Sequence, residues 1–142
     1  GDIYLNIENV TGSANNDSLT GDDSANQLDG GAGNDTLIGG KGADTLIGGQ
    51  GNDTYTVDHI GDIVTEQFNE GTDKINSAVD YTLPVEVENL TLTGAVAIIA
   101  NGNDLANVIT GNALDNQFNS GYRLEIAAGA GCEFRVNLAA TN

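Results

Sequence analysis

The chain has little of the material from which a large hydrophobic core or a disulfide framework is built. Its 142 residues include one cysteine, one proline, three phenylalanines and four tyrosines, with no tryptophan or methionine. A single cysteine, Cys132, excludes an intrachain disulfide, and the apolar stretch from Gly94 to Ala100 is far too short to span a bilayer. Another source of stability is needed, and in small acidic domains it is often a metal ion.

Basic residues are equally scarce. Four Lys and Arg stand against 21 Asp and Glu, which gives a formal net charge of −17. This charge disfavours binding to nucleic acid or to anionic membrane surfaces. Few cysteines with many acidic residues and glycines are typical of extracellular proteins that use calcium in place of disulfides. We expect a secreted or cell-surface protein and, because Gly1 lies within patterned sequence, a part of a longer parent chain.

Motifs of catalytic sites are missing as well. The sequence contains no HExxH, no GxSxG and no P-loop. His59 has no partner His or Cys at metal-ligand spacing and is interpreted as a surface side chain. We therefore predict a protein that is not an enzyme.

What the chain does contain is a repeat. Five nine-residue units follow one another from Gly12 to Thr56 and read GSANNDSLT, GDDSANQLD, GGAGNDTLI, GGKGADTLI and GGQGNDTYT. Position six is occupied by Asp17, Asn26, Asp35, Asp44 and Asp53, and position eight by Leu19, Leu28, Leu37, Leu46 and Tyr55. The first six residues of each unit favour turns, and the last three favour a short strand with one inward side chain. Consecutive units are then expected on opposite sides of a flattened coil, so that each unit stacks in parallel on the unit two before it.

Stacked turns of this composition can bind calcium. Calcium prefers six to eight oxygen ligands, more than one turn supplies, whereas two stacked turns can complete the shell. The candidate pairs are Asp35 with Asp53, Asp17 with Asp35, and Asn26 with Asp44, which gives about three sites. The Asp35–Asp53 site should be the strongest because both of its turns are complete, and Asn26 offers only a neutral carbonyl.

The repeat period divides the chain into four parts. Residues 1–56 form the first block, and residues 57–93 form a spacer with longer strands. In this spacer Asp62 and Asp73 could hold a further ion, although solvated turn carboxylates are the favoured interpretation. Residues 94–119 form a divergent second block, whose units with Asn107 and Asn116 are weak calcium candidates. Hydrogen bonds from asparagine to asparagine could replace the metal in these units. Residues 120–142 form either a two-stranded β-hairpin that caps the end or a tail that is not native. The spacer side chains predicted to face inward are Ile63, Ile75, Val79, Tyr81 and Leu83.

The units GGAGNDTLI, GGKGADTLI and GGQGNDTYT resemble the RTX, or haemolysin-type, nonapeptide GGxGxDxUx. The resemblance covers roughly Ile7 to Asn119, and it implies an all-β, right-handed parallel β-roll, a β-solenoid with stacked Ca²⁺ in its turns. It also implies secretion by a type I, signal-peptide-independent route and folding on contact with external calcium. By resemblance, the position-six side chains are joined as ligands by carbonyls of the first four residues of each unit, here Gly30, Gly31, Ala32, Gly33, Gly39, Gly40, Gly42, Gly48, Gly49 and Gly51.

The predicted function is a calcium-binding structural module that couples folding to extracellular calcium. One alternative is a non-catalytic accessory region of a secreted enzyme, such as a protease, a lipase or a polysaccharide epimerase or lyase. Another is a self-associating surface-layer or filament subunit, because the open ends of a solenoid can stack.

Overall fold

The computed structural model describes residues 8–120, 123–127 and 135–138. All regular secondary structure in this part of the chain is β-strand. The described residues include no helix long and apolar enough to cross a membrane. The strands are β1 Asn9–Thr11, β2 Ser18–Thr20, β3 Gln27–Ala32, β4 Thr36–Ile38, β5 Thr45–Gln50, β6 Thr54–Val57, β7 Ile63–Thr65, β8 Lys74–Ser77, β9 Tyr81–Thr82, β10 Asn89–Leu92, β11 Ile99–Asn101, β12 Ala106–Thr110, β13 Gln117–Ser120, β14 Arg123–Ala127 and β15 Arg135–Leu138.

The strands wind into a parallel β-solenoid. The even-numbered strands form one seven-stranded sheet, from β2 to β14 in steps of two. The odd-numbered strands form two four-stranded sheets, β1-β3-β5-β7 and β9-β11-β13-β15. Every described strand pair is parallel and joins strands two apart in the chain, as expected when each turn of the coil holds two units. The predicted all-β parallel solenoid is therefore confirmed.

The inward side chains form a stack along the coil. Leu28 pairs with Leu46, and Leu37 pairs with Tyr55, so each residue stands over the same position of the second unit after its own. All four are fully buried, whereas Leu19, which lies nearer the start of the stack, is partly buried. The stack continues beyond the first block through Ile75, Leu90, Ile109 and Phe118. One apolar residue per short strand is enough because the turn above and the turn below cover it.

The coil adjusts its length where the nonapeptides end. Tyr55 pairs with Ile75, which makes this turn longer than a pair of nonapeptides, and Ile75 pairs with Leu90, which makes the next turn shorter. The extra and missing residues are absorbed in turns, so the seven-stranded sheet runs through without a break. On the opposite face the sheet is interrupted between β7 and β9.

Two predictions for the spacer were wrong. Ile63 is 59% exposed, and its neighbour Val64 points inward, because Val64 pairs with Leu46 in the regular register of the repeats. The spacer strands β7 to β10 are also short, with two to four residues each, rather than longer than those of the repeats. Of the other side chains expected inside, Ile75 and Leu83 are buried, and Val79 and Tyr81 are partly buried.

The predicted C-terminal hairpin was wrong as well. β14 adds in parallel to β12, and β15 adds in parallel to β13, so the two strands belong to different sheets. The alternating residues that suggested a hairpin instead continue the coil, because the register of the repeats joins Phe118 to Val136. Cys132 lies outside the described residues.

Candidate metal centre

The turns of the three complete units depend on glycine. In the third unit, Gly31 and Gly33 have φ angles of 99° and 116°, in the left-handed region that other residues rarely adopt. The same two positions of the fourth and fifth units share this conformation. A Cβ at Gly31 would also overlap the carbonyl oxygen of Ser13, one turn of the coil earlier. Successive turns therefore stack backbone against backbone, which brings their carbonyl groups into one column.

A ladder of carboxylates runs along one side of the coil. The backbone N–H of Asp17 donates to Oδ1 of Asp35 at 2.7 Å, and that of Asp35 donates to Oδ1 of Asp53 at 2.6 Å. The ladder extends past the last repeat, since the N–H of Asp53 donates to Asp73 and that of Asp73 donates to Glu88, both at 2.8 Å. Each carboxylate is fixed by the turn before it.

A shorter ladder runs along the other side. The backbone N–H of Asn26 donates to Oδ1 of Asp44 at 2.8 Å, and the N–H of Asp44 donates to Oδ1 of Asp62 at 3.1 Å. The structure thus brings together all three pairs that the spacing of the repeats predicts. Asp62 and Asp73 join the ladders and are 5% and 1% exposed, so the interpretation of these two as solvated turn carboxylates was wrong.

The second carboxylate oxygen of several of these residues is left without a partner. Oδ2 of Asp35, Asp44 and Asp53 and Oε2 of Glu66 are buried and accept no hydrogen bond. An unpaired polar atom removed from water is costly, and an unpaired charge is costlier still. Buried carboxylates are normally paired with a cation, and these oxygens have the chemistry of calcium ligands.

Position one of the first and third units lies against two kinds of oxygen that can act as calcium ligands. A Cβ at Gly30 would overlap Oδ2 of Asp35 and lie 2.8 Å from the carbonyl oxygen of Gly48. A Cβ at Gly12 would lie 2.8 Å from Oδ2 of Asp17 and overlap the carbonyl oxygen of Gly30. Glycine at position one of these two units therefore lets a side-chain oxygen and a carbonyl oxygen from the next stacked turn approach the same point of the backbone. A mixed set of this kind suits calcium, which accepts carboxylate and carbonyl ligands together.

The second unit has the same arrangement with a neutral side chain. A Cβ at Gly21 would overlap both Oδ1 of Asn26 and the carbonyl oxygen of Gly39. Asn26 is buried, and its Oδ1 accepts the N–H of Asp22 at 2.8 Å. The first unit is the most exposed, because Asp17 is only partly buried. Oδ2 of Asp17 accepts the N–H and the hydroxyl of Ser13 at 2.6 and 2.8 Å.

The raised pKa values of the buried carboxylates indicate negative charge that no described side chain offsets. Burial raises the pKa of Asp44 and of Asp53, and neighbouring carboxylates raise both further. Burial also raises the pKa of Asp73 to about 6 and that of Glu66 to about 9. In the part of the chain that the structure describes, the one ion pair is the exposed contact of Lys41 with Asp23 at 2.7 Å. No described Lys or Arg neutralises the buried carboxylates, so a bound cation is the natural counter-charge.

In the second block, side-chain amides rather than a cation bound by carboxylates satisfy the carbonyl oxygens of stacked turns. The side-chain amide of Asn103 donates to the carbonyl oxygens of Pro84 and Val87 at 2.6 and 2.8 Å. That of Asn112 donates to the carbonyl oxygens of Gly94 and Val96 at 2.8 and 2.9 Å. Both asparagines occupy position two, where the complete units of the first block have glycine. Amide N–H groups therefore occupy carbonyl oxygens that a cation would otherwise use.

In the second block asparagine does bond to asparagine, but the position-six residues do so within their own units. The amide of Asn107 donates to Oδ1 of Asn103 at 2.9 Å, and that of Asn116 donates to Oδ1 of Asn112 at 3.0 Å. Each asparagine thus bonds to position two of its own unit. These two are buried within the turn and hold the position-two amides against the earlier turn.

Comparison with known proteins agrees with this geometry. The model of the family described as the RTX calcium-binding nonapeptide repeat matches four copies, over residues 6–37 and 20–55. The first block is an RTX calcium-binding repeat segment. No curated protein and no solved structure gave a significant match. The RTX block is accordingly a calcium-binding part of the β-solenoid.

Sequence reasoning favoured solvated carboxylates for Asp62 and Asp73, and it missed Glu66 altogether. Asp62 lies 18 residues after Asp44, so extending the same period would have found it. Asp73 lies 20 residues after Asp53, because the intervening turn is longer than those of the repeats, and the strict period passes over it. Glu66 gives no periodic signal as an acidic residue, since it occupies a position that is glycine in the repeats.

Proposed function

We propose that the chain is a calcium-dependent folding module of a secreted bacterial protein. Calcium would bind between stacked turns of the RTX block and neutralise the carboxylates that folding buries. The module would remain unfolded at cytosolic calcium concentrations and fold outside the cell, where it would act as a stiff structural or assembly element rather than as a catalyst.

The single observation that carries this proposal is the set of buried oxygens without partners. Oδ2 of Asp35, Asp44 and Asp53 are desolvated, and the Oδ1 atoms of the same side chains are already fixed by backbone N–H groups. A solvated acidic surface would not be built in this way. Calcium would supply what each oxygen lacks and would join carboxylate to carbonyl across the gap between turns.

Three sites would lie in the RTX block. On one side of the coil the ions would lie between the turns of Asp17 and Asp35 and between those of Asp35 and Asp53. On the other side one ion would lie between the turns of Asn26 and Asp44. The carbonyl ligands would come from the glycine-rich halves of these turns, where the Gly30, Gly39 and Gly48 carbonyl oxygens approach the position-one glycines of the preceding turn of the coil. We propose the Asp35–Asp53 site as the strongest, because both of its turns are complete.

The energetics favours folding that is coupled to binding. At a calcium concentration 100 times Kd, each site would stabilise the fold by about 2.7 kcal/mol. Extracellular calcium modules typically have Kd values of roughly 10⁻⁴ to 10⁻³ M, far above cytosolic calcium. Without the metal, a chain with a net charge of −17 and few large apolar side chains has the composition of a disordered segment. Several such sites would be comparable with the whole stability of a domain of this size.

The experiment is a calcium titration by calorimetry with circular dichroism recorded on the same samples. We expect about three ions to bind and the β signal to appear as they do. Asp35→Asn should weaken binding at least tenfold, because Asp35 contributes to two of the proposed sites. Asp104→Asn is the matched control, since Asp104 is exposed and belongs to the second block. A full β signal in excess chelator, with no heat of calcium binding, would refute the proposal.

A further inference from the structure

A buried acidic cluster lies where the RTX block ends. One carboxylate oxygen from each of Asp53, Glu66 and Asp73 lies within 4.8 Å of the other two. Asp53 belongs to the last repeat, Glu66 directly follows β7, and Asp73 directly precedes β8. The cluster therefore joins the last repeat to the first two strands of the spacer, outside the regular pairing of nonapeptide turns.

The cluster is not a solvated acidic surface. Asp53, Glu66 and Asp73 are 1%, 6% and 1% exposed. Oε2 of Glu66 and Oδ2 of Asp53 are both buried and accept no hydrogen bond. These unpartnered oxygens are independent of the proximity of the three residues, and they indicate that something absent from the protein chain completes the cluster.

The remaining oxygens are held in place by the chain itself. Oδ1 of Asp53 accepts the N–H of Asp35, and Oδ1 of Asp73 accepts the N–H of Asp53. Oε1 of Glu66 accepts the hydroxyl of Tyr55, which is fully buried. Each carboxylate is thus oriented through one oxygen, and in Asp53 and Glu66 the other oxygen is left for a ligand. Such pre-orientation lowers the cost of binding an ion.

The position of Glu66 in the coil explains why a glutamate is present. Glu66 follows Gly48 at the same interval at which Gly48 follows Gly30, which is one full turn of the regular coil. A Cβ at Gly30 would meet Oδ2 of Asp35 and the carbonyl oxygen of Gly48. A Cβ at Gly48 would meet Oδ2 of Asp53, the hydroxyl of Tyr55 and Oε1 of Glu66, and it would lie 2.6 Å from the last of these. The spacer has no glycine-rich turn here, and a side-chain carboxylate occupies the place of a turn carbonyl.

The negative charge around the cluster favours a cation as its ligand. Glu70 and Glu88 also lie close enough to act on the cluster, and the N–H of Asp73 donates to Oε2 of Glu88. The cluster contains carboxylates only, without histidine or cysteine, which suits a hard cation that binds oxygen rather than zinc or copper. A divalent ion would offset most of the negative charge of three carboxylates, and Ca²⁺ tolerates an irregular shell better than Mg²⁺ does.

We propose that Asp53, Glu66 and Asp73 form a further calcium site that closes the RTX block and ties it to the spacer. This site differs from those between nonapeptide turns because Glu66 binds through a side chain at a position where the repeats offer a backbone carbonyl. It would link β6, β7 and β8 at the point where the turn of the coil becomes longer than a pair of nonapeptides. The alternative occupant of Glu66 is a proton, which would leave a neutral carboxyl and no metal.

The test uses terbium as a calcium substitute and tyrosine as the sensitiser, with the full chain. Terbium emission excited through tyrosine requires a ring close to the ion, and Tyr55 contacts Glu66. We expect Glu66→Gln to lose most of the tyrosine-sensitised emission and, in calcium calorimetry, to bind one ion fewer than the unmodified chain. Glu8→Gln is the matched control, because it makes the same chemical change at an exposed residue before β1, and it should keep both signals.

The outcomes separate this proposal from the proposed function. If the unmodified chain binds no calcium, the proposed function fails and this site fails with it. If Asp35→Asn loses ions while a folded Glu66→Gln keeps the full stoichiometry and emission, only the further site is refuted, and Glu66 carries a proton. If Glu66→Gln does not fold, Asp73→Asn replaces it, and an unchanged stoichiometry in that variant also refutes the site.

Discussion

Asp44→Asn should change the stability of the fold in opposite directions with and without calcium. Asp44 is fully buried, its Oδ1 accepts the N–H of Asn26, and its Oδ2 has no partner. An asparagine keeps the Oδ1 acceptor and removes the charge. The chain already contains this residue at the equivalent position of the second unit, where Asn26 is buried within a turn of the same ladder. The variant therefore separates the charge of Asp44 from its hydrogen bond.

The size of the stability change follows from the cost of burying a charged Oδ2 and from the calcium binding that this oxygen supports. Burial raises the pKa of Asp44, so ionising this carboxyl in the metal-free fold costs free energy that a neutral amide avoids. In chelator we expect the variant to be as stable as the unmodified chain or more stable by up to about 2 kcal/mol. With calcium at 100 times Kd, a tenfold loss of affinity costs about 1.3 kcal/mol and complete loss of the site about 2.7 kcal/mol. The melting temperature should then fall by roughly 4–10 °C.

The assay has two arms because the metal-free chain is expected to be disordered. In saturating calcium, urea unfolding is followed by circular dichroism. In excess chelator, folding is driven by an osmolyte that is excluded from the protein surface, and the osmolyte concentration at half-folding is compared. The reasoning is refuted if Asp44→Asn destabilises the fold equally in both arms. Asp44 would then act through packing or hydrogen bonding, and its charge would have no link to a metal.

Three further predictions rest on single features of the coil. Gly30→Ala should raise the calcium concentration needed for folding at least severalfold, because the added Cβ overlaps Oδ2 of Asp35, and a calcium titration of the β signal checks this. Leu37→Ala should lower the free energy of unfolding in calcium by about 2–5 kcal/mol, and Leu19→Ala by clearly less, since Leu37 is fully buried and Leu19 only partly; urea unfolding measures both. In chelator with osmolyte, stability should fall as pH rises from 5 to 9: burial raises the pKa of Glu66 from the ordinary 4.5 to about 9, so the protonated form that favours folding is lost across that window. An osmolyte midpoint that does not change with pH would contradict the last of these.

The sequence predicts the fold well where its period is strict. Position eight of each unit predicts the buried stack from Leu28 to Tyr55, and position six predicts the carboxylates that meet across stacked turns. Both follow from one physical constraint: in a coil with two units per turn, each residue stacks on the residue at the same position of the unit two before it. The same constraint identifies Val64 as an inward residue, since it lies one full turn of the regular coil after Leu46. Hydrophobic alternation alone suggested Ile63.

What could not be predicted lies where turns change length. The turn from Tyr55 to Ile75 is longer than a pair of nonapeptides, and the turn from Ile75 to Leu90 is shorter. A turn can absorb such changes without disturbing the strands, so nothing in the local sequence marks the new register. Asp73 and Glu66 are therefore recognisable as part of a buried cluster only once the chain is folded. The C-terminal strands were misassigned for a related reason, because alternation does not distinguish a hairpin from two rungs of a coil.

The two blocks show two ways of satisfying the same stacked backbone. A solenoid turn leaves carbonyl oxygens directed at its neighbour, and each of them needs a positive partner. In the second block that partner is an amide of the chain itself, carried by Asn103 and Asn112. In the RTX block, glycine at position two removes this donor, and buried carboxylates add negative charge that no described Lys or Arg offsets. The residues at positions two and six together thus separate a turn whose carbonyl oxygens accept side-chain amide N–H groups from one that buries unpaired carboxylate oxygens.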